Sequence, residues 1–363
     1  MEDRYENRHF GDRSIEWFGA VAGMLNKVGA WPASVRGANK GEANPMIAVR
    51  IYEYGQIEDV VVEEVSVPEP GLDEVLVKVE AASVNPLDVK LVSGILREYF
   101  PLKMPYAVGT DLSGTVVESG RLAARWKKGD KVIGRLEPGP GKGPQYSRGG
   151  AFAEFAVVPA RHLAAAPSTI DLAESAGIPT AAGTAWQALF EGARLDPGQT
   201  VLIHAGAGGV GSFAVQLARY VGARVVATTS HANAELVRNL GADQVVDYRS
   251  TDFSAVLHDV DVVFDTVGGE TQSKSFRILK PGGTLATIAT PPDQGQAKAH
   301  GVTALRVGHE SDAARLGLIV GLCEAGALRV VVDRSFPLDD AREALAHSAT
   351  GRARGKILLR PGL

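Results

Sequence analysis

The stretch Thr200-Val-Leu-Ile-His204, Ala205-Gly-Ala-Gly-Gly-Val-Gly211, Ser212-Phe-Ala-Val-Gln-Leu-Ala-Arg219 decides the reading of this chain. Its first part is a short apolar run that predicts a buried strand, and the spacing of apolar residues from Val210 to Val221 predicts a helix. Between them Gly206, Gly208 and Gly211 stand at G-x-G-x-x-G spacing, with Gly209 and Val210 inside the same turn. Glycine serves three ends in such a turn: a tight bend, close backbone approach to a pyrophosphate, and close packing of helix on strand. Phosphate then lies over the free N–H groups of a helix N-terminus. Packing glycines in a ligand-free α/β fold give the same spacing. The strand before, the helix after and the βαβ setting point instead to a mononucleotide or dinucleotide site. His204, at the strand end, reads as a packing residue.

The same alternation continues on both sides of the motif. A helix is expected over Asp171–Glu191, then a strand over Arg224–Thr228 and a helix over Ala232–Leu240. Further strands are expected over Gln244–Val246, Val260–Asp265 and Thr284–Ile288. This is the pattern of an α/β protein with a parallel sheet and helices on both faces. Upstream, Met46–Tyr52, Val60–Val67, Glu74–Ala81, Ser113–Val117, Lys131–Ile133 and Phe152–Val158 read as short strands broken by Pro and Gly, a β-barrel-like unit. Downstream, a helix over Asp312–Ala325 and strands over Leu328–Val332 and Lys356–Leu359 close the chain. Residues 1–45 differ in character: a mixed-charge start, then Ile15, Phe18, Val21, Leu25 and Val28 at helical spacing, then a Gly/Ala/Asn-rich run. They read as an extension, weakly helical or poorly ordered, and the acidic residues ahead of the apolar positions argue against a signal peptide.

Composition excludes several function classes. The 38 basic and 42 acidic residues leave a net charge of −4, so a general electrostatic grip on nucleic acid or anionic lipid is not expected. No apolar run approaches the ~18 residues of a membrane span. Cys323 is the single cysteine, which leaves no internal disulfide and fits a reducing, cytoplasmic setting.

An absence sets the flavour of the cofactor. NAD sites place Asp or Glu at the end of the second strand, on the ribose 2′-hydroxyl. Here the segment from Ser212 to Ala234 holds no acidic residue, and its strand ends in Thr229-Ser230-His231. Small hydroxyls leave room for a 2′-phosphate, and His231, Arg238 or Arg249 can supply positive charge. NADPH is therefore the expected cofactor.

From Met46 onward the chain resembles the zinc-independent quinone oxidoreductase branch of the medium-chain dehydrogenase/reductase superfamily, with its enone-reducing relatives. The resemblance is carried by Ala82-Ser-Val-Asn-Pro-Leu-Asp-Val-Lys90, Val108-Gly-Thr-Asp-Leu-Ser-Gly114, Gly149-Gly-Ala-Phe-Ala-Glu-Phe155 and the glycine motif. Asp261-Val-Val-Phe-Asp-Thr-Val-Gly-Gly269, Lys280-Pro-Gly-Gly283 and Gly355-Lys-Ile-Leu358 carry it further. It implies a GroES-like β-barrel domain over 46–168, completed by 309–363, packed on a Rossmann doubly wound parallel sheet domain over 169–308. It also implies hydride transfer from NADPH to a small-molecule quinone or to the C=C bond of an α,β-unsaturated carbonyl, and a homodimer. Zinc-dependent relatives carry a Cys ligand where this chain has Ser83 to Asn85, and Gly-His-Glu where it has Gly109-Thr110-Asp111, so no catalytic zinc is expected. Gly308-His309-Glu310 repeats the tripeptide far from that place and reads as a turn leading into a helix.

The resemblance also assigns roles. Asn85 would lie beside the nicotinamide, and Thr184, Tyr248 and Thr266 match cofactor-contacting positions. Two readings of Lys90 stand: a cation that stabilises developing enolate charge, or a solvated surface lysine. Asp88 reads as structural, and Tyr99, Tyr106 or water as the proton source. A non-catalytic NADPH-binding sensor and a secondary-alcohol dehydrogenase are the alternative readings of the whole.

Overall fold

The computed structural model describes residues 45–139 and 150–363. The expected N-terminal extension, and most of the Gly/Pro-rich loop Glu137–Gly150 with Gly149 of the resemblance, lie outside the described residues.

The expected parallel sheet is present and contains six strands: β9 (Thr200–Ile203), β10 (Arg224–Thr229), β11 (Gln244–Asp247), β12 (Val260–Asp265), β13 (Leu279–Thr287) and β14 (Thr303–Arg306). Their order is β11-β10-β9-β12-β13-β14, and every pairing is parallel. Numbered from β9, that order is 3-2-1-4-5-6, the doubly wound arrangement whose direction reverses between the first and fourth strands. The reversal lies between β9 and β12, so the glycine motif leaves the sheet at the crevice where such folds bind ligands. Buried on both faces, these strands read as apolar runs: Val201, Leu202, Ile203, Val225, Val226 and Phe264 are almost wholly excluded from solvent.

The upstream strands form a second sheet system. β3 (Glu74–Val84) is its spine, paired antiparallel with β5 (Asp111–Ser119), β7 (Phe155–Pro159) and β16 (Lys356–Arg360). The sheet runs β15-β16-β3-β5-β6-β8, with β6 at Lys131–Arg135, β8 at Leu163–Ala165 and β15 at Val332–Pro337. β1 (Pro45–Ile51), β2 (Val61–Ser66) and β4 (Tyr106–Ala107) form a smaller three-stranded sheet. Gly114 lets β5 approach β3: a Cβ there would sit 2.2 Å from the Lys78 carbonyl oxygen. The C-terminal segment thus returns to the sheet begun by the N-terminal half.

Several expected elements are revised. The single helix over 171–191 is three pieces: Leu172–Ser175, capped by Asp171, then Pro179–Trp186, then a π-helical stretch Gln187–Gly192. Pro179 cannot continue a helix from Ser175 but starts one well at its first position. The strand expected at Leu328–Val332 is displaced to Val332–Pro337. Residues Thr290 to Gly301, which are Pro- and Gln-containing and show no clear period, contain a helix, Gln294–His300, whose first turn is capped by Asp293 Oδ1 on the N–H groups of Gly295 and Gln296. Helices Pro86–Val92 and Ala341–Ala349 had no clear sequence signal.

Candidate active site

The glycine motif divides its labour as the chemistry requires. Ala205 takes a left-handed conformation (φ +50°), which turns the chain sharply at the end of β9. Gly206 and Gly211 are packing glycines: a Cβ on Gly206 would lie 2.9 Å from Ala227 Cβ, and one on Gly211 would lie 2.2 Å from the Ala205 carbonyl oxygen. Gly208 has only the Ala205 oxygen near, at 3.3 Å, and is the N-cap of helix Gly209–Tyr220 with no side chain to cap it. The helix therefore begins with Gly209, Val210 and Gly211 offering backbone N–H groups uncapped by any side chain. That arrangement fits a pyrophosphate.

Beside the motif is a cavity of about 600 Å³, lined by His204, Ala205, Thr228, Tyr248, Arg249 and Val267 among others. Thr229 and Ser230, buried at the end of β10, bring no acid to it. Asp247, opposite Thr229 on β11, turns Oδ1 onto the Arg249 N–H at 3.0 Å. Of the three basic residues expected near the 2′-phosphate, Arg249 lines the cavity, whereas His231 and Arg238 are exposed and are not among its lining residues. Thr266 Oγ1 donates to the His204 carbonyl at 2.8 Å, which ties the end of β12 to β9. His204 itself is satisfied: its ring nitrogens meet Thr228 Oγ1 at 3.1 Å and Ser275 Oγ at 2.9 Å. Burial pushes its pKa down to about 4, so it is neutral.

A second cluster lies where helix Pro86–Val92 begins. Asn85 is its N-cap; the Asn85 N–H donates to Asp88 Oδ2 at 2.7 Å. The Asn85 amide is held at both ends. Nδ2 faces the Ser83 carbonyl, Thr110 Oγ1 and Asp111 Oδ2 at 3.1–3.2 Å, and Oδ1 accepts from Lys356 Nζ at 2.6 Å. Asp111 is held in turn by Thr180, whose Oγ1 donates to Oδ1 at 2.6 Å. Burial, with the Asp111 carboxylate adding, pushes Asp88 up to about 7 against the Asn85 N–H and Lys356, which oppose it. Burial also raises Asp111 and lowers Lys356.

The two clusters touch through the C-terminal strand. Gly208 and Gly355 form a parallel backbone bridge, and the Lys356 Cδ lies 3.0 Å from where a Gly209 Cβ would be. Lys356 carries no expected site role, standing only in a strand and in the resemblance segment Gly355-Lys-Ile-Leu358; its signal is one charged residue opening an apolar run, Lys356-Ile-Leu-Leu359. Thr184 is buried on helix Pro179–Trp186, its Oγ1 3.3 Å from His309 Nδ1. His309 thus packs on that helix rather than merely marking a turn, and burial, with Arg135 adding, pushes its pKa down to about 3. Lys90 stands apart: it is exposed, and its side chain forms no hydrogen bond or ion pair with the described residues. Of the two tyrosines, Tyr99 is 72% exposed, while Tyr106 is buried with its phenol pushed further up by desolvation. Among the described residues no three His, Cys, Asp or Glu side chains come together as a metal site.

Known proteins are similar to this chain across both parts of the fold. A family model described as an alcohol dehydrogenase GroES-like domain matches residues 71–168, and one described as a zinc-binding dehydrogenase matches residues 240–359. Chloroplastic quinone-oxidoreductase QR1 of Triphysaria versicolor is 35% identical over 316 residues, covering 82% of this chain and 93% of that protein. The chloroplastic NADPH-dependent alkenal/one oxidoreductase of Arabidopsis thaliana is 33% identical over 317 residues, covering 85% and 78%. The solved quinone oxidoreductase from Coxiella burnetii superposes with a TM-score of 0.78 at 30% identity, covering 87% of this chain and 99% of that one. The chain belongs to the medium-chain dehydrogenase/reductase family, in its zinc-independent quinone oxidoreductase and enone reductase branch.

Proposed function

We propose that this protein is an NADPH-dependent oxidoreductase that reduces a quinone or the C=C bond of an α,β-unsaturated carbonyl. The observation that carries the reading is the uncapped start of helix Gly209–Tyr220, open at Gly208, beside a cavity to which β10 brings no carboxylate. Bound NADPH supplies the hydride. The chain's own residues do the rest. Gly209, Val210 and Gly211 hold the pyrophosphate through backbone N–H groups, while Gly206 and Gly208, whose own N–H groups donate to the Thr228 and Ala205 carbonyls, shape the turn that lets it approach. Thr229, Ser230 and Tyr248 are proposed around the adenosine ribose, with Arg249 the cation for its 2′-phosphate and the exposed His231 next to Ser230 in the chain. Asn85, Thr184 and Thr266 line the nicotinamide end. Lys90 is proposed as the cation for the acceptor's oxygen. Because water screens an exposed ammonium, that role requires the bound acceptor to cover it.

Two further features belong to the proposal. Among the described residues β14 has a neighbouring strand on one side, β13, and this sheet edge supports a homodimer joined there. Light scattering is expected to give twice 38.2 kDa. Among the described residues no helix is long and apolar enough to cross a membrane. A cytoplasmic location is proposed from the single buried Cys323, although the two plant relatives named above are chloroplastic; fractionation of the native host tests it.

Stopped-flow oxidation of NADPH and NADH against quinones, enones and aldehydes tests the function. Turnover with quinone or enone and a clear NADPH preference are expected. Binding without turnover would favour a sensor, and alcohol oxidation with bound metal a secondary-alcohol dehydrogenase. No saturable fluorescence change with NADPH would overturn the reading entirely.

A further inference from the structure

Lys356 is the first residue of β16, 3% exposed, and its ammonium is the cation of a buried group that contains two carboxylates, Asp88 and Asp111. A lysine is almost never placed so deeply without a partner. Its donor goes to neither carboxylate but to Asn85 Oδ1, at 2.6 Å. The consequence for Asn85 is specific. A side-chain amide has two faces of similar shape, and an amide of this kind can turn over unless its neighbours distinguish oxygen from nitrogen. Here they do so on both sides. Turned over, the amide would set its oxygen against the Ser83 carbonyl and the Asp111 carboxylate, and its NH₂ against an ammonium. On the oxygen side the hydrogen bond comes from Lys356. The same side chain lies along Gly209 at the start of the glycine-motif helix, next to the Gly208–Gly355 backbone bridge. One residue thus contacts both the loop that receives the coenzyme and the amide at its reacting end.

We infer that Lys356 is a positioning residue for hydride transfer: it fixes the orientation of the Asn85 amide beside the glycine-motif loop. The inference rests on the reductase reading above. It assigns Lys356 no contact with the acceptor. Its effect runs through Asn85, whose Nδ2 is already committed to three acceptors and whose Oδ1 is held by the ammonium.

Two measurements test it. In the coenzyme-free wild-type protein, side-chain amide NMR should show Asn85 Nδ2 protons that exchange slowly with solvent. Exchange as fast as that of an exposed asparagine would overturn the inference. In Lys356→Met, which keeps length and loses the charge, those protons should exchange much faster. Its kcat for enone or quinone should fall by about 100-fold, the loss that a small misplacement at a reacting centre brings. NADPH affinity by fluorescence should stay close to wild type. Lys356→Gln keeps a donor for Asn85 Oδ1 and should recover part of the kcat; it also carries the comparison if the Met variant does not fold. Unchanged kcat in Lys356→Met, or a loss confined to NADPH affinity with kcat intact at saturation, would overturn the inference. No wild-type turnover across the acceptor panel would instead sink the reductase reading, and the exchange measurement would then judge the hold on Asn85 by itself.

Discussion

The two glycines that flank the pyrophosphate turn differ by what a single carbon would meet. Gly211→Ala puts a Cβ 2.2 Å from the Ala205 carbonyl oxygen, so the helix must move off the turn; lower Tm and weaker NADPH binding are expected together. Gly208→Ala meets only that oxygen at 3.3 Å, so Tm should change little while KM for NADPH rises, because the methyl group faces the open side. Thermal melts and coenzyme titrations on both variants check the pair, and equal effects on Tm would contradict the division of roles. Asp88 gives a second residue-scale prediction. Its folded pKa is raised from 3.8 to about 7, so the folded state holds this proton more tightly than the unfolded chain does. That contribution to stability is complete below about pH 4 and is lost as pH rises through about 7. In urea unfolding, the stability of wild type relative to Asp88→Asn should therefore decline as pH rises from about 4 to 7, whatever the other groups contribute to both proteins. At this scale the glycines were legible because their spacing is local, whereas Lys356 was not, since its partners Asn85 and Asp111 lie in β-rich sequence far upstream.

Elements were legible where their own residues fixed them. Strand Val260–Asp265 matched its expected bounds because an apolar β-branched run buried on both faces has no competing reading. The helix Ala313–Glu324 was expected within a residue at either end, and Asp312 caps it through the Arg315 N–H at 2.7 Å. Asp312→Ala should lower stability by about 1 kcal/mol, measured by denaturant midpoint, with NADPH affinity unchanged. Elements were missed where tertiary packing supplied the reason. Ala341–Ala349 buries only Ala341, Ala344, Leu345 and Ser348, a narrow and mostly small-residue stripe. β14 is half exposed, and it extends as a strand because β13 templates it.

At the scale of the molecule, pH acts from the acid side through histidines whose pKa values are lowered, His162 among them through burial. His204 and His309 are lowered from 6.5 to about 4 and about 3, both mainly by burial. The unfolded chain therefore takes up protons first, and stability present above about pH 6.5 is lost as pH falls toward 4. Together with Asp88 this predicts a stability maximum near neutrality. His204→Asn or His309→Asn should shallow the acid side if the rings cause it; an unaltered acid limb in both would locate the cause elsewhere.

The sequence by itself determined the parallel α/β half, the coenzyme turn and the missing acid on β10, since each follows from residues adjacent in the chain. Only the tertiary structure decided that the last strand returns to β3, because strand pairing across more than 270 residues leaves no local pattern. That return brings a buried lysine to Asn85. Lys90, five residues from Asn85 in the chain, stands on the surface in water.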